Sequence, residues 1–129
     1  MANLFYLMLG GAVGTAFRYI ISGIAYRQFG ETFPWGTFAV NMIGSFLIGF
    51  LWALFEQSHL SSTLRTLIFM GILGGFTTFS TYTLESFNLF RDGEIKLAML
   101  NIIISNFLGI IVVFLGFVCA RVLMEIILE

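Results

Sequence analysis

The chain has 129 residues, of which 59% are hydrophobic and only 10% are charged, and its mean hydropathy is +1.00. Soluble domains are about 45–50% apolar and about 25% charged. The composition therefore excludes a soluble domain and predicts a small integral membrane protein with one domain, residues 1–129. A net charge of −1 without a basic patch argues against nucleic acid as a partner. The single cysteine, Cys119, excludes an internal disulfide and a cysteine metal cluster.

Four apolar stretches follow one another along the chain, and each is close to the ~20 residues that a helix needs to cross the hydrocarbon. The connections between them are short and polar. His59, in the connection at 56–63, is predicted to be a solvated loop residue rather than a ligand. The residues from Arg91 to Glu94 predict a turn. We therefore predict an all-α membrane protein with spans at about 4–26, 35–55, 64–89 and 95–123.

The positive charges at the ends of the four spans are almost balanced between the two sides. An even number of spans places both termini on one side, and that side carries Arg65 and Arg121. The other side carries Arg27, Arg91 and Lys96. Because excess positive charge sets the orientation of a membrane protein, this balance favours insertion both ways and an antiparallel homodimer. The alternative is a fixed orientation set by features other than charge.

The third span contains a weak place for a helix, in residues 71–85. Three glycines there are followed by Thr77, Thr78, Ser80, Thr81 and Thr83. Glycine and β-branched threonine are poor helix formers, so we predict a break in mid-membrane. Lipid tolerates such a break only where protein or a water-filled cavity covers it. Since the stretch also ends on a carboxylate, Glu85, we interpret it as a site for an ion or a polar substrate, with helix packing as the alternative for any single residue.

Each of the other spans has one narrow polar or small-residue stripe at a spacing of four. Small residues let helix backbones approach closely, so packing seams explain most of the glycines. Arg18 is interpreted as an electrostatic or structural group that either snorkels to an interface or caps carbonyls at the break. A buried Asn41 needs partners, from either a neighbouring helix or a passing anion. The stripes are Gly10, Gly14, Arg18 and Ser22; Thr37, Asn41, Ser45 and Gly49; and Asn101, Ser105 and Gly109.

The polar groups of these stripes are mostly hydrogen-bond donors, which favours a small anion over a cation. Phe76, Phe79 and Tyr82 add rings, whose edges carry partial positive charge. Glu85 is the counter-argument, since a carboxylate serves a proton or a cation. Two antiparallel copies would bring their breaks together near the bilayer centre, where freed carbonyls could hold a small cation. The sequence has no metal-ligand spacing, nucleophile elbow or phosphate-binding loop, so no catalytic machinery is predicted.

With these residues in place, the chain resembles the Fluc/CrcB fluoride channel family almost from end to end. Three motifs carry the resemblance: Gly10-Gly-Ala-Val-Gly-Thr-Ala-Phe-Arg-Tyr19, Gly36-Thr-Phe-Ala-Val-Asn-Met-Ile-Gly-Ser-Phe-Leu-Ile-Gly49 and Gly74-Gly-Phe-Thr-Thr-Phe-Ser-Thr-Tyr-Thr-Leu-Glu85. The resemblance implies an antiparallel dual-topology homodimer in the bacterial inner membrane. Such a dimer has two separate pathways through which fluoride leaves the cell passively, which confers fluoride resistance.

The resemblance also implies roles for individual residues. Arg18 matches the arginine near the pore entry. The backbone carbonyls of Gly74 and Thr77 from both copies would hold a central structural sodium ion. Tyr82 stands where the family usually has phenylalanine, and Asn101 stands where a tyrosine is common. The residues implied for the fluoride pathway are Asn41, Phe79, Ser80, Thr81, Tyr82, Glu85, Thr37 and Ser105.

Two alternatives remain at this point. A small dual-topology exporter of drug cations also has four short spans, but it needs an acidic residue in the first span, where this chain has Arg18. A non-transporting assembly subunit would explain the packing seams but not the cluster of donors.

Overall fold

The computed structural model describes residues 2–56 and 60–128, and every element in these ranges is helical. His59, predicted to be a loop residue, lies outside the described residues. The elements in chain order are α1 (Ala2–Phe29), α2 (Trp35–Phe55), α3 (Ser62–Arg65), a π-helical segment (Thr66–Leu73), α4 (Gly74–Phe76), α5 (Phe79–Arg91) and α6 (Ile95–Leu128).

Four helical stretches in the described chain are long and apolar enough to cross a membrane. They are Asn3–Phe29, Trp35–Phe55, Ser62–Arg91 and Ile95–Ile127. This confirms the prediction of an all-α chain with four helices suited to spanning a bilayer. The third stretch is composite, since it contains α3, the π-helical segment, α4 and α5.

Two glycines with positive φ end helices and turn the chain. Gly30, at φ 82°, donates its N–H to the Tyr26 carbonyl at 2.9 Å and closes α1. Gly93, at φ 83°, follows α5 and lies in the predicted turn, with its N–H 3.2 Å from the Phe90 carbonyl. Left-handed backbone at a helix end costs glycine little, because glycine has no Cβ. These short turns place consecutive long helices side by side.

Glycines also form the closest helix contacts. A Cβ at Gly10 would lie 2.6 Å from the Leu67 carbonyl oxygen, and one at Gly14 would press on the Ile72 carbonyl oxygen. These contacts hold α1 against the π-helical segment. Between α2 and α6, a Cβ at Gly49 would meet the Val113 carbonyl oxygen. The interpretation of the glycine stripes as packing seams is confirmed at these positions.

Most large apolar side chains in the described chain lie on its outer surface. Phe107 and Ile110 of α6 are 68% and 72% exposed, whereas the fully buried side chains are few and include the small residues Ala98 and Ala120. Such an inverted distribution is typical of helices whose outer faces contact lipid, since lipid tails are as apolar as a protein core. The close contacts between helices therefore depend on glycine and alanine.

We predict that Gly14→Ala lowers the stability of the purified protein by about 1–3 kcal/mol, because the new methyl group meets backbone atoms that cannot move aside. The matched control is Gly23→Ala, since nothing lies within 4 Å of a Cβ at Gly23. The control is expected to gain about 0.5–1 kcal/mol from higher helix propensity. Thermal unfolding in detergent, followed by tryptophan fluorescence, measures both changes. An unchanged or higher melting temperature for Gly14→Ala would contradict the packing described above.

Candidate functional site

The backbone between α4 and α5 is extended at two threonines. Thr77 has ψ 159°, and Thr78 has φ −149° and ψ 117°. In a continuous helix the Thr78 N–H would bond to the Gly74 carbonyl. Here it donates to Asn41 Oδ1 at 2.9 Å instead. The Gly74 carbonyl is thereby released from the helical hydrogen-bond ladder, and Gly74 is exposed on the surface of the single chain.

Asn41 of α2 pairs with both backbone groups of Thr78. Its Nδ2 donates to the Thr78 carbonyl at 3.1 Å, while its Oδ1 accepts from the Thr78 N–H. The side-chain amide thus replaces the peptide group that a helical neighbour would provide. Asn41 was expected to bond either to a neighbouring helix or to a passing anion, and the structure shows a bond to the neighbouring backbone. The second hydrogen of Nδ2 is not used by Thr78.

Thr78 also restarts the helix. Its Oγ1 accepts the Thr81 N–H at 3.3 Å and donates to Thr81 Oγ1 at 2.9 Å, which is N-cap geometry. Sequence reasoning missed this role. The signal was available, because threonine is a preferred N-cap residue and Thr78 precedes the polar first turn of α5.

Arg18 of α1 contacts the interrupted backbone. Its Nη1 lies 3.5 Å from the Thr77 carbonyl oxygen, so the guanidinium caps a carbonyl at the interruption, one of the two roles considered for it. Arg18 is half-buried. The contact places a permanent positive charge beside the point where α4 ends.

Glu85 joins three helices through one oxygen. Its Oε1 accepts hydrogen bonds from the hydroxyls of Tyr26 on α1 and Thr37 on α2, each at 2.8 Å. Its Oε2 is buried and has no hydrogen-bond partner within the described residues. Sequence reasoning included Thr37 and Glu85 but missed Tyr26. Tyr26 lies four residues after Ser22 and therefore continues the stripe that contains Arg18 and Ser22.

Two cavities flank the extended threonines. The first, which we call the Asn41 cavity, has a volume of about 320 Å³ and includes Asn41, Gly74, Thr77 and Phe79 in its walls. The second, the Glu85 cavity, has a volume of about 360 Å³ and includes Arg18, Thr37, Thr81 and Glu85. Thr78 lines both. The interruption therefore forms a partition between two open, partly polar spaces.

A third space, the Tyr82 cavity of about 390 Å³, lies between α5 and α6 and is lined by Phe79, Tyr82 and Asn106 among others. The ring centroids of Phe79 and Tyr82 are 5.7 Å apart. Phe79 is 75% exposed and Tyr82 is buried. Ser80, exposed on α5, follows Phe79 directly.

Ser105 belongs to a hydrogen-bond chain between α6 and α5. Its hydroxyl donates to Asn101 Oδ1 at 3.1 Å, Asn101 Nδ2 donates to Ser86 Oγ at 3.0 Å, and Ser86 donates to the Tyr82 carbonyl at 2.8 Å. Asn101 is 1% exposed. The hydroxyl hydrogen of Ser105 is thus used within the protein. The structure brings Asn41 to the interruption, Thr37 to Glu85, and Phe79 to Tyr82, whereas Ser105 is linked to the Tyr82 backbone through Asn101 and Ser86.

Comparison with known proteins matches this chain over nearly its whole length. Residues 5–117 match the family model described as CrcB-like protein, Camphor Resistance (CrcB). Relatives named fluoride-specific ion channel FluC include those of Parabacteroides distasonis, at 46% identity over 94% of both chains, and Salinibacter ruber, at 44% identity over 96% of this chain and 93% of the relative. The relative from Magnetococcus marinus is 43% identical over 92% of this chain and 97% of its own. This chain belongs to the CrcB family.

Proposed function

We propose that the chain forms a fluoride-selective channel through which fluoride leaves the cell passively, and that it confers fluoride resistance in the inner membrane of a bacterium. The observation that carries the proposal is the interrupted backbone at Thr77 and Thr78, which lies between two cavities and is surrounded by donors. Family membership supports it, since the named relatives are fluoride-specific ion channels. The same membership excludes an enzyme.

The donors around the interruption suit a small, strongly hydrated anion. A channel must replace the hydration shell of such an ion with hydrogen bonds from the protein. Each binding site must also be weak enough for the ion to leave it. Asn41 has one amide hydrogen that Thr78 does not use. The Thr81 hydroxyl accepts from Thr78 and keeps its own hydrogen. Ring edges of Phe79 and Tyr82 extend this set of donors beyond the interruption.

An antiparallel homodimer completes the pathways in this proposal. A single chain leaves the Asn41, Glu85 and Tyr82 cavities open at its surface and leaves Gly74 exposed, and lipid does not tolerate an exposed backbone carbonyl without a partner. A second copy, related by a two-fold axis, covers the same surface on both chains at once. The nearly balanced charges at the span ends favour copies in opposite orientations. Each copy then supplies its own set of donors, which gives two pathways per dimer.

A structural sodium ion at the dimer centre is part of the proposal, with Gly74 and Thr77 as its carbonyl ligands. The donor chemistry fits, because carbonyls at unwound helices are typical sodium ligands in membranes. Gly74 fits best, since its carbonyl is released when Thr78 pairs with Asn41. The Thr77 carbonyl has a long contact from Arg18 on one side only. The ion would hold the two interruptions together.

The alternative, a proton-coupled exporter of drug cations, has less support. It requires an acidic residue in the first span, and α1 has none among residues 2–29. The acid nearest to the interruption, Glu85, already accepts two hydroxyl hydrogen bonds.

Reconstituted protein is expected to release fluoride from liposomes at least about tenfold faster than protein-free vesicles, with valinomycin carrying compensating potassium. A fluoride electrode measures the release, and a chloride electrode in matched vesicles measures selectivity. Chloride release is expected to stay near the protein-free rate. Absence of fluoride release, together with proton-driven movement of a drug cation, would show that the alternative is correct.

Asn41→Asp is expected to reduce fluoride release by at least about tenfold. The new carboxylate repels the anion, and two unit charges about 4 Å apart at an effective dielectric of about 20 repel by about 4 kcal/mol. It also loses the donor to the Thr78 carbonyl. Asn3→Asp is the matched control, because within the described residues the Asn3 side chain accepts one hydrogen bond, from Thr63, and keeps that bond as aspartate. Equal release from both variants would remove Asn41 from the pathway.

Sodium is expected to raise the melting temperature of the purified dimer above that in choline chloride of the same ionic strength. A ligand present at about 100 times its Kd stabilises the folded state by about 2.7 kcal/mol. Potassium chloride is the control for general salt effects. Identical melting curves in sodium and choline, from millimolar to molar salt, would exclude the central ion. They would not contradict the proposal that the protein conducts fluoride.

A further inference from the structure

Asn106 of α6 directs both of its amide hydrogens at acceptors within the chain. Its Nδ2 donates to the Ile102 carbonyl at 2.7 Å and to the Tyr82 hydroxyl oxygen at 2.9 Å. A carbonyl only accepts, so the nitrogen, not the oxygen, of the amide must face Ile102. The same nitrogen therefore faces Tyr82, and the orientation of the Asn106 amide is determined by two contacts.

This contact determines the role of the Tyr82 hydroxyl. Because its oxygen accepts from Asn106, its own hydrogen points elsewhere, and within residues 2–56 and 60–128 it donates to no acceptor. Tyr82 and Asn106 both line the Tyr82 cavity beside Phe79. The hydroxyl hydrogen is thus available to whatever enters that cavity. When a hydroxyl oxygen accepts a hydrogen bond, as that of Tyr82 does from Asn106, the hydroxyl is polarised and becomes a stronger donor.

The backbone of Tyr82 is held independently of its hydroxyl. Its carbonyl accepts from Ser86, which is in turn bonded to the fully buried Asn101 of α6. The ring itself is buried. Only the direction of the hydroxyl hydrogen therefore remains to be determined by Asn106, which is exposed on an otherwise apolar helix face between Ile103 and Phe107. A polar side chain on such a face is costly and indicates a function.

We propose that Asn106 is a positioning residue that turns the Tyr82 hydroxyl hydrogen into the Tyr82 cavity, where this hydroxyl donates to the permeating anion. The inference rests on the proposed function and adds a hydroxyl donor and its orienting residue to the pathway. Without Asn106 the hydroxyl rotates freely, and with an acceptor in its place the hydrogen turns away from the cavity.

The test measures fluoride release from liposomes as a function of internal fluoride concentration, which separates half-saturation from maximal rate. Tyr82→Phe is expected to raise the half-saturating concentration about tenfold, because a hydrogen bond to a charged group is lost. Asn106→Leu, similar in shape but without donors, is expected to raise it about threefold. Asn106→Asp accepts the tyrosine hydrogen and is expected to raise it at least as much as Tyr82→Phe.

The control is Thr83→Val, which removes another hydroxyl from the wall of the same cavity. The Thr83 hydroxyl already donates to the Ser80 carbonyl at 2.9 Å, so its loss is expected to leave half-saturation unchanged. In the Tyr82→Phe background, Asn106→Leu is expected to have no further effect.

Four outcomes would overturn the inference. If Asn106→Leu raises half-saturation equally with and without Tyr82→Phe, Asn106 acts on something other than the hydroxyl. If it lowers only the maximal rate and the melting temperature, its role is structural. If the parent chain conducts fluoride but Tyr82→Phe leaves half-saturation unchanged, the hydroxyl is not a donor and the channel function stands. A parent chain that conducts no fluoride removes both proposals together.

Discussion

The pairing of Thr78 with Asn41 is the interaction on which the arrangement of the helices depends. An unpaired backbone amide away from water costs several kcal/mol, so an interrupted helix in an apolar chain needs replacement partners. One side chain of α2 satisfies both the N–H and the carbonyl of Thr78. This requires α2 to lie in one register beside the interruption. The close contact between Gly49 of α2 and the Val113 backbone of α6 then fixes the position of α6 relative to α2.

The same interruption exposes two helix ends of opposite polarity. The segment that ends at Phe76 presents carbonyls, whereas α5 begins at Phe79 and presents N–H groups, with no acidic residue in its first turn. Carbonyl ends attract cations, and N–H ends attract anions. A structural cation and a permeating anion within one short stretch of chain are therefore compatible, because each interacts with a different end. This polarity supports the proposed roles of Gly74 and Thr77 on one side and Ser80 and Thr81 on the other.

Hydropathy and spacing predicted four spanning helices because both depend on local composition. They also located the weak stretch at 71–85, where glycine and threonine disfavour a helix. The partner of that stretch was not predictable, since Asn41 meets Thr78 only through the packing of α2. The π-helical segment Thr66–Leu73, which packs against α1, was also missed. Tyr26 was missed although it lies four residues after Ser22, in the stripe that also contains Arg18.

Arg18 and Glu85 lie beside the proposed anion path without forming an ion pair with each other. Both line the Glu85 cavity, yet within the described chain neither belongs to a salt bridge. Arg18 contacts a backbone carbonyl, and Glu85 Oε1 accepts from two hydroxyls, so each side chain is bonded to neutral groups and not to the other. A direct ion pair would cancel the positive charge that attracts an anion, and an uncompensated arginine would hold the anion too tightly. Conduction requires binding that is weak enough for the ion to leave, and an arginine already bonded to a carbonyl is consistent with such weak binding in the proposed path.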